Sequence, residues 1–357
     1  MIKPQKLNKG DKVAILSLSR GLLGMPFCKH EVDIGIERLK EYGLEPVIMP
    51  NSLKDMNYLE EHPEARAEDL KAAFRDKDIK AIICAIGGDD TYKTIPYLME
   101  DDEFKELVRN NPKIFTGYSD TTNNHLMLNK LGLSTFYGPC FLVDIAELDN
   151  EMLPYTKKYF EKYFSNDDKL EIQSSDIWYN DRASYGPEEV GKPRIVNTEK
   201  RGFELLNGSG IARGLLYGGC IESIYDAMTG QKNKDAAEIY RKYEILPNDE
   251  EWSKKILFLE TSDMKIEPNV LRNILLEFKN RDILNLVNGV ILGKPYDEVY
   301  YEEYKEVYKD IFSDIDTPVL YNVNFGHSFP RCIIPYGVEA VVDYDNKKIV
   351  IEERILN

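Results

Sequence analysis

The chain has 357 residues, 43 % hydrophobic and 30 % charged, and its 46 Lys and Arg against 62 Asp and Glu leave a net charge of -16. At roughly 150 residues per domain, that length predicts about two domains, each able to bury a core without staples. So acidic a chain repels phosphate backbones and anionic membrane surfaces, and no run of Lys and Arg offsets it, which excludes nucleic-acid polymers and membranes as partners.

Cys28, Cys84, Cys140, Cys220 and Cys332 are scattered, odd in number and form no CxxC pair. They read as free buried thiols of a reducing compartment, with no metal site. Residues 1–10 lack the apolar core of a signal peptide, and no apolar run approaches the roughly 18 residues of a membrane span. The expectation is a soluble, cytoplasmic protein.

In chain order, Asp11 to Ser17 is a short Val- and Ile-containing run typical of a buried parallel strand. Val32 to Tyr42 carries apolar residues at helical spacing and stops at Gly43. Leu44 to Met49 reads as a strand, Ala65 to Phe74 as a helix, and Lys80 to Ile86 as a third strand followed by Gly87-Gly88-Asp89-Asp90. Thr94 to Met99 and Phe104 to Val108 read as helical, and Lys113 to Thr116 as a fourth strand ending at Gly117. This alternation predicts an open α/β sheet over 1–143, with ligands beyond the carboxyl ends of its strands. Residues 144–206 are rich in Tyr, Asp, Asn, Lys and Pro with little periodicity, and read as an irregular connecting and covering segment. Over 207–357 the signals are Gly214 to Gly219 before a helix, strands at Ile256 to Glu260, Gly289 to Gly293, Ala340 to Val342 and Lys348 to Glu352, and helices at Val270 to Phe278 and Arg281 to Val287. They predict a β-containing second domain.

Ser119, in Gly117-Tyr118-Ser119-Asp120, sits between the fourth strand and a helix-like stretch around His125 to Leu128. Such a turn lifts a serine Oγ above the sheet and aims helix N–H groups at a developing oxyanion. Two features favour the plainer role of helix N-cap: Ser is common at that position, and Thr121 stands where a GxSxG turn has its second glycine. A serine nucleophile needs a base oriented by a carboxylate. Of the four histidines, His30 and His62 read as surface residues, and His125 lies about 600° round a helix from Ser119. His327, beside Gly326 in a loop between two strand-like runs, is free to project into a cleft. Glu260 ends the apolar strand Ile256 to Leu259, where a charge is costly unless paired, so it is expected to have a partner. Asp120 is a second carboxylate to weigh, although adjacent residues in such a turn usually diverge. Gly87-Gly88 lets backbone N–H groups approach a reacting carbonyl, and also suits a phosphate site or a simple turn. No Walker A or GxGxxG pattern follows a strand, which leaves no cofactor to expect.

Gly87-Gly88-Asp89-Asp90, the run from Asn111 to Thr122, Phe136-Tyr137-Gly138-Pro139, Gly214 to Gly219, Leu257 to Glu260, and Gly326-His327 with Ile334 to Gly337, taken in that order, resemble the LD-carboxypeptidase family of serine peptidases over nearly the whole chain. The resemblance implies a flavodoxin-like N-terminal α/β domain, a smaller β-rich C-terminal domain of the swivelling β/β/α kind, and a homodimer. It also implies a Ser–His–Glu triad at Ser119, His327 and Glu260, with an oxyanion hole from the backbone of Gly88 and Asp120. The family usually has asparagine where this chain has Cys220, after Gly218-Gly219. Two branches divide the family. One trims D-alanine from murein tetrapeptides. The other resembles the microcin C immunity protein, which cleaves an aminoacyl or peptidyl group from a nucleotide-like moiety. The Asp-Asp pair, the Tyr-Gly-Pro block and the long middle segment look more like the second, whose nucleobase-stacking aromatic would be Trp178 or Tyr185 here. The expected partner is thus a small peptide or peptidyl-nucleotide substrate. A two-domain small-ligand-binding protein without catalysis is the competing class.

Overall fold

The apolar runs in the first third of the chain become strands of one parallel sheet. The computed structural model describes residues 1–357 and divides into two units, the first comprising residues 1–166, 181–195 and 356–357. In this unit β1 (Lys12–Leu16) lies between β2 (Glu45–Ile48) and β3 (Ile79–Cys84), and β4 (Ile114–Gly117) and β5 (Phe136–Tyr137) extend the sheet beyond β3. Every one of these pairings is parallel, and the order β2-β1-β3-β4-β5 is that of a flavodoxin-like sheet. Helices Lys29–Glu41, Pro63–Arg75, Asp102–Asn110 and Thr122–Lys130 make the crossovers. Val13, Ala14, Ile15, Ile82, Ile83, Ile114 and Phe115 are all buried, as strands covered on both faces require. Chain order reverses between β1 and β3, and the segments leaving β1, β3 and β4 carry Ser19, Gly87-Gly88 and Ser119. Ligands of open α/β sheets bind at that position.

The second unit comprises residues 167–180 and 196–355. Its strands are β6 (Leu170–Ile172), β7 (Ile177–Tyr179), β8 (Val196–Thr198), β9 (Glu204–Asn207), β10 (Ile211–Cys220), β11 (Lys255–Glu260), β12 (Gly289–Gly293), β13 (Val319–Val323), β14 (Ile334–Pro335), β15 (Glu339–Asp343) and β16 (Lys348–Ile351). Eight of them form a mixed sheet in the order β6-β16-β15-β10-β11-β12-β13-β9, while β7 and β8 pair antiparallel in a two-stranded sheet of their own. The central strands β10 to β13 are mutually parallel and β15, β16, β6 and β9 are antiparallel to their neighbours. Helices Ile221–Thr229, Pro268–Asn280 and Tyr301–Phe312 are amphipathic, burying Ile224, Leu271, Leu275, Tyr304 and Tyr308.

Two sequence expectations differ from what is observed. Residues 144–206, expected to be irregular, contain the helix Pro154–Phe160 and strands β6, β7 and β8, and are divided between the two units. The expected helix over Arg281 to Val287 is only the turn Ile283–Leu286, because Asp282 adopts the left-handed conformation at its start. All five cysteines are buried and unbridged. No helix is long and apolar enough to cross a membrane.

Candidate active site

In the first unit, Ser119 occupies the turn between β4 and the helix Thr122–Lys130. Its φ of +67° lies in the left-handed region, which a side-chain-bearing residue enters at a cost of about 1 to 3 kcal/mol. Thr121 is the N-cap of the helix, which has no side-chain capping bond, so the N-cap role does not account for Ser119. The surroundings hold the turn in this conformation. The Ser119 N–H donates to Tyr137 Oη (3.0 Å), and its carbonyl accepts from Thr122 Oγ1 (2.7 Å). Asp120 is buried and accepts from Ser19 Oγ (2.6 Å), the Thr91 N–H (2.9 Å) and Asn123 Nδ2 (2.8 Å). That carboxylate therefore serves the turn. It ties the segments after β1, β3 and β4 together, and the candidate role of orienting a histidine passes to Glu260.

Gly87 is where β3's continuation meets the serine. A Cβ on it would stand 2.6 Å from Ser119 Cβ and 2.7 Å from Ser119 Oγ, so only glycine fits without displacement. At Gly88 a Cβ would stand 2.8 Å from Arg20 N. Next along, Asp90 forms an ion pair with the fully buried Arg66 (2.7 Å), which also donates to the Leu18 carbonyl (3.1 Å). The two acids of Gly87-Gly88-Asp89-Asp90 thus have separate roles. Asp90 anchors the loop, while Asp89 faces Arg20 at 3.5 Å near the surface.

In the second unit, β10, β11 and β12 end at Cys220, Glu260 and Gly293, and the segment leaving β13 carries His327. Glu260 and His327 are in contact. The His327 N–H donates to Glu260 Oε2 (3.1 Å), and Nδ1 lies 2.8 Å from Oε2 and 3.0 Å from Oε1. Both side chains are buried. Burial by itself disfavours the imidazolium, but the Glu260 carboxylate, with Asp263 and Glu222, outweighs it and raises the His327 pKa above its ordinary 6.5. With Nδ1 held by Glu260, Nε2 is the nitrogen left for proton transfer. The charge expected to need a partner at the end of an apolar strand has one. Glycines make room for it: a Cβ on Gly293 would stand 2.7 Å from Glu260 Cβ, and one on Gly326 would stand 2.5 Å from Glu260 Oε2.

The remaining histidines are otherwise engaged. His125 is buried between Thr135 Oγ1 (2.8 Å) and the Gly117 carbonyl (3.0 Å), and burial lowers its pKa to about 3, a structural neutral imidazole. His30 contacts the Tyr185 carbonyl (2.9 Å), and His62 contacts Glu64 (2.6 Å). Of the two aromatic candidates, Tyr185 donates from Oη to Asp181 (2.5 Å) and accepts from Arg194 (3.1 Å). Arg194 and Arg182 both bind the buried Glu147, which clamps residues 181–195 within the first unit. Trp178, in the second unit, has Lys294 Nζ 5.1 Å from its ring centroid. That ammonium is fully buried and neutralised by Glu199 (2.8 Å) and Glu298 (2.5 Å). Cys220 is a buried thiol donating to Glu222 (3.3 Å), and burial together with the Glu222 and Glu260 charges pushes its pKa up, away from thiolate chemistry.

Sequence reasoning does not find Ser19 or Glu222. Ser19 bridges Asp120 and the Asp89 N–H (3.0 Å), and Glu222 accepts from Ser262 N–H (3.0 Å) and Oγ (2.7 Å) just after Glu260. Both are ordinary surface residue types in sequence, and only the sheet topology brings them to the strand ends.

The flavodoxin-like unit with a serine at its switch point, followed by a sheet-rich unit with a paired histidine and glutamate, matches an LD-carboxypeptidase N-terminal domain over residues 13–138 and an LD-carboxypeptidase C-terminal domain over residues 213–342. The chain belongs to the LD-carboxypeptidase family. It is similar to an MccF-like protein from Streptococcus pneumoniae solved in complex with AMP, at 45 % identity and a TM-score of 0.89, covering 95 % of this chain and 98 % of that one. It is also 28 % identical to the probable murein peptide carboxypeptidase of Bacillus subtilis strain 168, over 98 % of this chain and 94 % of the relative. It is 26 % identical to the microcin C7 self-immunity protein MccF of Escherichia coli, over 90 % and 88 %.

Proposed function

We propose that the chain is a serine amidase in which Ser119 is the nucleophile, His327 the general base and Glu260 the carboxylate that orients it, with the backbone N–H groups of Gly88 and Asp120 as oxyanion donors. The observation that carries this reading is Ser119 itself, a non-glycine residue at φ +67° with Gly87 packed against its Oγ. Strain of this kind persists where the surroundings over-determine it, and an exposed nucleophile on a strand-to-helix turn is one use for it. The Glu260–His327 pair supports the same reading from the second unit.

In the proposed reaction, Ser119 Oγ bonds to the amide carbon as its proton passes to His327 Nε2. The carbon–nitrogen bond then breaks, and the leaving nitrogen takes its electron pair and the proton from Nε2. Water adds to the acyl-enzyme, giving a proton to Nε2, which returns it to Ser119 Oγ as the acid departs. The substrate we assign is an aminoacyl or peptidyl group joined to a nucleotide-like moiety, as in microcin immunity. The similarity to the MccF-like protein solved with AMP supports it. Trp178 and Tyr185 are the aromatic candidates for the base. The second reading, cleavage of murein tetrapeptides, is favoured by the 28 % identity to a probable murein peptide carboxypeptidase. We further propose a cytoplasmic homodimer, to be checked by light scattering and by fractionation.

Side-by-side assays with an aminoacyl-sulfamoyl adenosine and a murein tetrapeptide test the substrate. Cleavage of the tetrapeptide alone overturns the immunity reading. A folded Ser119→Ala variant with normal turnover, or no covalent label from a serine-directed phosphonate, overturns the nucleophile and leaves a ligand-binding protein.

A further inference from the structure

The loop after β11, residues 261–265, places one acidic side chain beside the reactive nitrogen of the candidate base. Asp263 Oδ1 lies 3.8 Å from His327 Nε2, opposite the edge of the ring that Glu260 holds. The Asp263 side chain is 60 % exposed, and no lysine or arginine neutralises it. Both ends of the loop are fixed. Ser262 is bound through N–H and Oγ to Glu222, and Lys265 is paired with Asp297 (3.0 Å) and rests over the Tyr296 ring at 5.1 Å. Lys265, the one cation in the loop, is therefore committed elsewhere and does not pair with Asp263.

We propose that Asp263 is a specificity-determining residue that binds an ammonium group on the carbon next to the scissile carbonyl, selecting aminoacyl substrates with a free α-amine over N-acylated, peptidyl ones. The inference rests on the acyl-transfer role of His327. Nε2 must come within hydrogen-bond reach, about 3 Å, of both Ser119 Oγ and the leaving nitrogen, so substituents next to the carbonyl fall about 4 Å from Nε2, at a radius like that of Asp263 Oδ1, 3.8 Å from the same atom, and within reach of its carboxylate. A free α-amine is protonated at neutral pH and meets an opposite charge there. An acylated amine brings a neutral N–H and leaves the carboxylate without a counterion.

The test is a matched pair of substrates, alanyl-sulfamoyl adenosine and its N-acetyl derivative, assayed by kcat/KM with wild type and Asp263→Asn. Wild type is expected to prefer the free amine, and the variant to lose about three- to tenfold of that preference, mainly through KM. Because any effect of Asp263 on the His327 pKa acts on both substrates alike, the preference ratio isolates contact with the amine. A ratio that is the same in both proteins, or a wild type indifferent to acetylation, overturns the proposal. If wild type cleaves neither substrate, the immunity reading of the substrate fails, and the specificity role falls with it.

Discussion

Gly326 faces the Glu260 carboxyl group closely enough that a Cβ at position 326 would stand 2.5 Å from Glu260 Oε2. Gly326 also has φ +77°, so a side chain there is unfavourable twice over. Gly326→Ala is expected to push Glu260 off the imidazole of His327 and to cost about 1 to 3 kcal/mol of stability. Turnover should fall about a hundredfold or more while the fold persists. Paired measurements of kcat/KM and urea unfolding check this, and near-normal turnover would show that the contact between the two residues does not matter.

Ser119 stores strain that glycine would not. Ser119→Gly should abolish turnover while raising stability by about 1 kcal/mol, and Ser119→Ala should abolish turnover without that gain. Denaturant midpoints of the two variants separate the effects. Equal stabilities would mean that φ +67° costs the serine nothing.

His327 sets the pH response. Burial works against its charged form, but Glu260 outweighs burial and the pKa is raised above 6.5. In the proposed mechanism the neutral ring is the base, so kcat/KM should rise with pH through an inflection above 6.5. Glu260→Gln removes the main opposing charge and leaves burial, so the inflection should move down and kcat should fall about a hundredfold or more. The same linkage acts on folding. Stability from the protonated ring is fully present below its unfolded pKa and is lost as pH rises through the folded one. An inflection unchanged in the variant would remove Glu260 from the role of orienting carboxylate.

Glu147 lies buried between Arg182 (2.5 Å) and Arg194 (2.6 Å), and Arg194 continues to Asp181 and Tyr185. Glu147→Gln leaves two buried guanidinium groups short of a counterion, at a cost of about 3 to 5 kcal/mol. Residues 181–195 should then be cleaved faster by trypsin, and amide exchange there should accelerate before exchange in β1 or β3. Unchanged cleavage would mean that the segment is held by its other contacts.

Much of the fold is legible because strands buried on both faces are continuous apolar runs. Lys80 to Ile86 and Gly289 to Gly293 stand out for that reason, and they are β3 and β12. The helix Tyr301–Phe312 is harder to see. Its inward face is Tyr301, Tyr304, Val307, Tyr308 and Ile311, tyrosines doing what aliphatics usually do, among six charged neighbours in the run. Counting Tyr as apolar at helical spacing would find it. Strands β6, β7 and β8 have only three residues each, too few for an alternation to register. Of the candidate residues, Ser119, Glu260 and His327 are visible from where they stand beside strand ends and glycines. Asp263 is not, because its meaning depends on an approach to Nε2 across 64 residues of chain.

Trp178 rests over the buried Lys294 ammonium, and the chain's only other tryptophan, Trp252, is itself buried. The protein therefore carries its own optical probe. Its two indoles differ in environment, one beside a fixed positive charge and partly open to solvent, the other enclosed against Tyr217. A nucleobase that stacks on Trp178 should quench one component of the emission and leave the other in place, so ligand binding can be followed by light alone, in unmodified protein and without turnover.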